Sequence, residues 1–274
     1  MPVHIDDEGY RSVQAEVEVP GTPEDVWQAI ATGPGISAWF VPCKVEERVG
    51  GAVLSNFGPG MESVASITEW EPPHRFVAES RDDMGPDDPT VATEWSVVAR
   101  EGGVCVVRVV HRWFTSKDDW DGQFEGHTYG WIAFFRVLHL YLTHFRGQPS
   151  TLIQLMGTAP EPKDAAWHAL TSALGIAGAT VGQSVRTSDG APPLAGIVEQ
   201  TGVPEWPELL IRLREPAPGI VHIVPHAMGG PIFLSLRFFL YGDQAPAAAA
   251  RAEAAWQAWL SEHFPMPAPE SPAA

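Results

Sequence analysis

The chain has 274 residues, of which 45% are hydrophobic and 19% are charged, and its formal net charge is -17. This composition is typical of a globular protein with one large or two ordinary domains. The acidic charge argues against partners that present phosphate backbones or anionic membrane surfaces. Two cysteines are too few for a disulfide framework, and we see neither a signal peptide nor a membrane-spanning apolar run. We therefore expect a cytoplasmic protein that binds no nucleic acid and no membrane.

The first half of the chain predicts a strand, two short helices, a run of strands and a long helix. Residues 13–19 alternate between apolar and polar side chains, as in a half-buried strand. Thr22 then stands as a helix N-cap before Pro23, and a second helical turn covers 36–40. Paired Gly and Pro residues separate most of the following strands, which are predicted at 42–48, 51–57, 62–70, 74–80, 91–99 and 104–114.

The second half repeats this order. Residues 162–175 are similar to the first helix, and 194–213 parallel the strand–turn–strand segment 64–80. The remaining predicted elements of this half are a strand at 150–156, two strands within 219–242 and a closing helix at 245–264. Both halves read strand, helix, several strands, helix, so we predict a duplicated domain. The predicted domains are residues 1–147 and 148–274.

The long helix of the first half, residues 125–145, carries aromatic side chains on more than one face. A surface helix has one apolar stripe, so this helix must be covered along much of its circumference. Antiparallel strands with few helices imply an α+β layer fold. We expect the helix to lie in the groove of a curved sheet.

Several segments of the first half resemble the SRPBCC (START-related, helix-grip) superfamily, in the branch named after the activator of the heat-shock-protein ATPase. They are Val19 to Trp27, Trp39-Phe40, Gly50-Gly51, Ser66 to Phe76 and His127-x-x-Gly130-Trp131. The resemblance implies two helix-grip domains, each a curved antiparallel sheet wrapped around a long C-terminal helix, with a cavity for apolar or aromatic molecules. The second copy lacks the Gly-Gly pair and the His-x-x-Gly-Trp motif and is degenerate. We expect the ligand in the first domain.

Alternation along 104–113 places Cys105, Val107 and His111 on one face and Arg108 and Arg112 on the other. Because the arginines must reach water, the odd-numbered face is predicted to look inward. The ligand pocket is then predicted to be lined by Trp39, Phe40, Met61, Trp95, His111, Trp113, His127, Trp131, Phe134, Phe135, Leu138 and Tyr141. The alternative is that this aromatic group is solid core, with His111 a hydrogen-bonded core histidine and His127 orienting the helix start.

Three functions are consistent with these sequence features. The first is binding of a hydrophobic or aromatic small molecule for transport, sensing or sequestration. The second, which the resemblance allows, is a polyketide cyclase/aromatase-like enzyme in which His111, with Glu69 or Tyr141 as partner, moves protons. The third is a co-chaperone-like module whose acidic surface binds a basic protein. The sequence leaves open the ligand, catalysis, homo-oligomer formation and whether the second domain has a working cavity.

We expect no cofactor and no metal. His222 and His226 share one face of a predicted strand, but no acid or cysteine adjoins them in the sequence. No phosphate-binding glycine motif or nucleophile elbow occurs in the chain.

Overall fold

The computed structural model describes residues 4–5, 11–58, 62–80, 90–113, 121–227 and 230–267, with the backbone alone at residues 4, 5, 11, 113 and 121–129. The chain divides into two compact units, Met1–Gly147 and Gln148–Ala274. Each unit contains one antiparallel sheet followed by a long helix, so the predicted α+β fold class is confirmed. Within the described ranges, no helix has the length and apolar character needed to cross a membrane.

The first unit contains the helices α1 (Pro23–Ala31), α2 (Gly33–Ser37) and α3 (Asp121–His144). Its strands are β1 (His4–Ile5), β2 (Arg11–Pro20), β3 (Cys43–Val45), β4 (Ala52–Asn56), β5 (Glu62–Glu71), β6 (Arg75–Ser80), β7 (Val91–Arg100) and β8 (Val104–Trp113). They form a sheet in the order β1-β2-β8-β7-β6-β5-β4-β3. The first long strand thus pairs with the last one, and the others form a meander.

The second unit contains α4 (Lys163–Ala173) and α5 (Ala245–His263). Its strands are β9 (Ser150–Ala159), β10 (Ser184–Arg186), β11 (Ala195–Val203), β12 (Trp206–Glu215), β13 (Gly219–Ala227) and β14 (Ile232–Tyr241), in the order β10-β11-β12-β13-β14-β9. Again the first strand, β9, pairs with the last, β14. The second sheet therefore repeats the topology of the first with fewer strands.

The two sheets also share a local irregularity. Between Ile67 and Glu69 the register against β6 shifts by one residue, and β11 shifts in the same way between Val198 and Gln200. Such a bulge reverses which side of the sheet the following side chains face. A shared defect at corresponding positions supports the interpretation of the two units as copies of one unit.

Alternation in β8 sorts side chains as the sequence predicts. Cys105, Val107 and Val109 have no exposed surface, whereas Arg108 and Arg112 are exposed. The inward face packs under α3, on which Trp131, Phe135, Leu138 and Leu142 form a buried stripe. The same helix contacts β2, where Nδ1 of His139 lies 2.9 Å from the carbonyl oxygen of Glu18.

The core of the second unit lies between its sheet and α5. The closing helix places Trp256 and Leu260 on the sheet with no exposed surface, and Phe238 of β14 packs against Trp256 at a ring-centroid distance of 5.3 Å. Alternate residues of β11 to β14 complete this apolar cluster. Helix α5 therefore covers an apolar core.

Helix α1 begins with a reciprocal cap. Asp25 donates its backbone N–H to Oγ1 of Thr22 at 3.2 Å, and Thr22 donates its own N–H to Oδ2 of Asp25 at 3.1 Å. Arg146, beyond the end of α3, donates to the same carboxylate at 2.7 Å. This cap fixes where α1, and with it Trp27, enters the first unit.

Replacing Thr22 by Ala should lower the free energy of unfolding of the first unit by about 1 kcal/mol, because an orphan helix donor loses its acceptor. Thr143→Ala is the matched control, since that exposed hydroxyl donates to the carbonyl of His139 in its own helix and alanine favours helices. Chemical denaturation followed by tryptophan fluorescence measures both. Equal effects of the two substitutions would contradict the role given to the cap.

Candidate functional site

The interior of the first unit is a continuous cluster of aromatic rings. Trp39 follows α2, Trp95 comes from β7, and α3 contributes Trp131 and Phe135. These four rings contact one another with centroid distances from 5.2 to 6.4 Å. Most pairs are edge-to-face or tilted, the arrangement that aromatic quadrupoles favour.

Burial in this cluster is graded from one end to the other. Trp39 and Phe135 are 0% and 2% exposed, whereas Phe57, Phe134 and His111 are only half-buried. Phe40 links the two ends, because its ring stacks on Trp131 at 5.2 Å and meets Phe134 at 4.5 Å. The cluster is closed at the Trp39 end and reaches the surface at the Phe134 end.

One polar pair lies against this aromatic wall. His111 of β8 and Thr93 of β7 are direct cross-strand partners, and Nδ1 of His111 lies 3.1 Å from Oγ1 of Thr93. The imidazole ring packs on the indole of Trp131 at a centroid distance of 5.1 Å. A hydroxyl and an imidazole are thus placed beside an apolar surface at its half-exposed end.

The structure does not place Glu69 beside His111. After the bulge in β5, Trp70 faces inward and Glu69 faces outward, where its carboxylate pairs with Arg75. Arg75 also donates to Glu94 at 3.1 Å. These two hydrogen bonds, to Glu94 first and Glu69 second, raise the pKa of the guanidinium. Glu69 belongs to an outer ion-pair group.

Tyr141 lies on α3 but away from His111. It comes ten residues after Trp131, which corresponds to about 15 Å along the helix axis. Its hydroxyl accepts a hydrogen bond from the N–H of Gly147 at 3.3 Å. Burial raises the pKa of Tyr141, and the bond from Gly147 opposes this, so the phenol stays protonated at neutral pH. Its position and protonation suit a structural role, in which the hydroxyl holds the chain that follows the C-terminal end of α3.

Of the other predicted site residues, the side chain of one is described by the structure and those of three are not. Leu138 is fully buried beneath the ring cluster. Met61 lies outside the described residues, and the side chains of Trp113 and His127 lie outside the described part of β8 and α3. Sequence reasoning overlooked Thr93 and Phe57. The pairing of Thr93 could have been found by aligning β7 with β8 around the Gly102-Gly103 turn.

Among the cavities that described residues form, two open ones lie outside the ring cluster. One, of about 550 Å³, lies on the outer face of β4 to β6 beside Gly50, Gly51 and Glu79. The other, of about 350 Å³, lies in the second unit between α4 and the β11–β12 hairpin.

The predicted histidine pair of the second unit, His222 and His226, has the surroundings of structural residues rather than of metal ligands. Nε2 of His222 lies 2.9 Å from Oε2 of Glu208, and both side chains are buried. His226 lies two residues further on the same strand. Desolvation, followed by the charges of Arg237, His222 and Lys163, lowers the pKa of His226 to about 4. Among the described residues, no group of three or more acidic, cysteine or histidine side chains is placed to hold a metal ion.

The lowered pKa of His226 predicts acid sensitivity of the second unit. In the unfolded chain a histidine titrates near pH 6.5, so between about pH 6.5 and 4 the unfolded chain binds a proton that the folded chain does not. The stabilisation is therefore complete above pH 6.5 and is lost as the pH falls towards 4, by up to about 3 kcal/mol. Denaturation curves across this range should show the loss.

His226→Gln should flatten this pH dependence, and His168→Gln, on the exposed side of α4, should leave it in place. An unchanged slope in the His226 variant would show that other groups cause the acid sensitivity.

Comparison with known proteins confirms the resemblance of the first unit. Residues 20–143 match the family described as "Activator of Hsp90 ATPase homolog 1-like protein", which is the branch that the sequence of this unit predicts. The matched segment ends before the second unit begins. A search of the curated proteins returns no match.

Several solved structures are similar to the chain. DynU16, from the dynemicin biosynthetic locus, is 16% identical, covers 91% of this chain and 96% of its own, and has a TM-score of 0.43. The di-domain ARO/CYC BexL, from the BE-7585A biosynthetic pathway, is 12% identical over 94% of this chain and all (100%) of its own, with a TM-score of 0.44. The Aha1 dimer from Colwellia psychrerythraea is 19% identical, covers 50% of this chain and 98% of its own, and has a TM-score of 0.40. At these values the similarity says nothing about the ligand or chemistry of this chain.

Proposed function

We propose that the first unit binds a hydrophobic, aromatic small molecule at the half-exposed end of its ring cluster. The observation that carries this proposal is the His111–Thr93 pair, set against the indole face of Trp131 where the cluster approaches the surface. Ligand sites are mostly apolar, with a few polar groups that fix orientation. The ring cluster supplies the apolar surface, and His111 with Thr93 supplies a polar contact.

The aromatic rings also suggest what class of molecule fits. An additional aromatic ring placed against Trp131, Phe40 or Phe134 would gain about 0.5–1.5 kcal/mol for each ring pair beyond the burial of its area. A flat polycyclic ligand can make several such contacts at once. A hydroxyl or carbonyl on the edge of the ligand would contact His111 or Thr93. The site should therefore bind an aromatic molecule with such a group more tightly than a plain aromatic hydrocarbon.

The arrangement of the polar residues favours binding over turnover. Acid–base catalysis by the predicted pairs requires Glu69 or Tyr141 within hydrogen-bond reach of His111. Glu69 instead pairs with Arg75 on the outer face, and Tyr141 lies near the far end of α3. We therefore propose a carrier, sensor or sequestering role, with a cyclase/aromatase-like reaction as the alternative that the same experiment tests. A basic protein partner stays a prediction from the acidic charge, and homo-oligomer formation stays open.

Titration with 1,8-dihydroxyanthraquinone should quench tryptophan fluorescence saturably, because several of the eleven tryptophans lie in the ring cluster. Trp131→Leu should weaken binding by about tenfold through lost ring contact. His111→Ala should weaken it by about fivefold, the value of one hydrogen bond. Recovery of unchanged ligand after incubation is the result expected of a binding protein.

His139→Ala is the matched control, since this exposed histidine of α3 bonds to the Glu18 carbonyl outside the ring cluster. Binding that survives both site variants, or no binding of the tricyclic probe, would refute the proposed site. A chemically altered ligand would favour the enzyme alternative.

A further inference from the structure

The two units can be compared residue by residue at the hairpin that follows the shared bulge. In the first sheet, Trp70 pairs with Phe76 three positions after Ile67. In the second sheet, Thr201 pairs with Leu209 three positions after Val198. Trp70 therefore corresponds to Thr201, and Phe76 corresponds to Leu209.

The helix that packs beside this hairpin also corresponds. Trp27 is the fifth residue of α1, and Trp167 is the fifth residue of α4. The residue before each tryptophan and the residue three positions after it are buried in both helices, Val26 and Ile30 in one and Ala166 and Leu170 in the other. Trp27 and Trp167 are therefore equivalent positions of the repeat.

In the first unit these positions form a closed group of three rings. Trp27 meets Trp70 edge-to-face at a centroid distance of 5.0 Å and Phe76 at 5.8 Å, and Trp70 lies 5.5 Å from Phe76. Trp27 and Phe76 are consequently almost completely buried.

In the second unit the same place is open. Thr201 and Leu209 replace the indole and the phenyl ring, and Trp167 is only half-buried. Trp167, Thr201 and Leu209 all line the cavity of about 350 Å³ between α4 and the β11–β12 hairpin. Its other lining residues are Asp164, Thr171, Ile176, Gly178, Ala179, Gly202, Val203, Pro204, Pro207 and Glu208. The cavity thus lies where the first unit holds the ring of Trp70.

We infer that this cavity binds a planar aromatic group about the size of an indole. In this arrangement the ligand ring takes the place beside Trp167 that the Trp70 ring takes beside Trp27. A buried floor of Ile176 and Leu209 and a wall of Val203 and Pro204 supply apolar contact. A cavity of this size and lining lies at the lower end of the range of small-molecule sites.

The charges around the cavity restrict the class of ligand further. Asp164 places an exposed carboxylate at the rim, and Glu208 is a lining residue whose carboxylate contacts His222 on the face of the sheet opposite Leu209. Carboxylates accept hydrogen bonds and repel anions. The preferred ligand is therefore an uncharged ring that carries an N–H or O–H donor, and an anionic ring is disfavoured.

This site is independent of the one proposed for the first unit. All its lining residues belong to the second unit, whereas His111 and Trp131 belong to the first. The internal repeat argues for it, because the protein itself places an indole in the equivalent position of the other copy.

A fluorine NMR titration of the full chain with 5-fluoroindole tests the inference. The wild-type protein should give a saturable change of the ligand signal. Thr201→Trp should weaken this binding by at least about tenfold, because the introduced indole fills the cavity as Trp70 does in the first unit. Thr201→Ser, which introduces no ring, is the matched control and should bind like the wild type.

The outcomes separate this site from the first one. Thr201→Trp, which lies outside the first unit, should leave the binding of 1,8-dihydroxyanthraquinone unchanged, and 5-fluoroindole-2-carboxylate should bind at least about tenfold more weakly than 5-fluoroindole. If circular dichroism shows that Thr201→Trp does not fold, Trp167→Leu serves in its place, with the same expected loss. No saturable binding to the wild type, undiminished binding to the folded ring-filling variant or to Trp167→Leu, or equal binding of the anion would overturn the inference.

Discussion

The first unit depends on the position of one indole, that of Trp39. This side chain has no exposed surface, and its Nε1–H donates to the carbonyl oxygen of Ala29 at 2.9 Å. The bond satisfies a carbonyl near the end of α1, which would otherwise be buried without a partner at a cost of about 1–3 kcal/mol. The same ring contacts Phe40, Trp95 and Phe135. One side chain therefore ties α1 to β7 and α3, and it sets the closed end of the cluster from which the half-exposed end extends.

Much of this arrangement could be predicted from periodicity. Alternation in β8 correctly assigned Cys105 and Val107 to the interior and Arg108 to the exterior, because a regular strand keeps its parity from end to end. Glu69 shows where that reasoning stops. Two residues after the inward Ile67 it should also face inward, but the bulge inserts one residue and reverses the parity. Nothing in the local sequence marks the bulge, so the outward position of Glu69 could not be predicted.

Helix and edge positions show the same limit. The stripe that joins Trp131 to Leu138 followed from helical spacing. The separation of Tyr141 from His111 did not, because it depends on which turn of α3 packs against His111 of β8. The short edge strand β10, Ser184–Arg186, was missed because three residues give no periodic signal. His111 was correctly placed on the inward face, whereas its partner Thr93 required the register between β7 and β8.

The two units show how one framework can keep its backbone and change its interior. Sheet order, the pairing of first with last strand, and the bulge are common to both. Side chains at equivalent positions differ, and the ring group around Trp27 has become an open cavity around Trp167. The pattern of apolar residues and the geometry of the turns set the register of the strands, so single side chains at equivalent positions can differ while the register is kept.

The most direct test of the account is a crystal structure of the full chain grown with 1,8-dihydroxyanthraquinone. We predict a flat ligand seated against Trp131 in the first unit, with one of its oxygen atoms within hydrogen-bond distance of His111 or Thr93. A ligand bound elsewhere, or rings of Phe40, Trp131 and Phe134 in unbroken mutual contact with no ligand beside them, would contradict it.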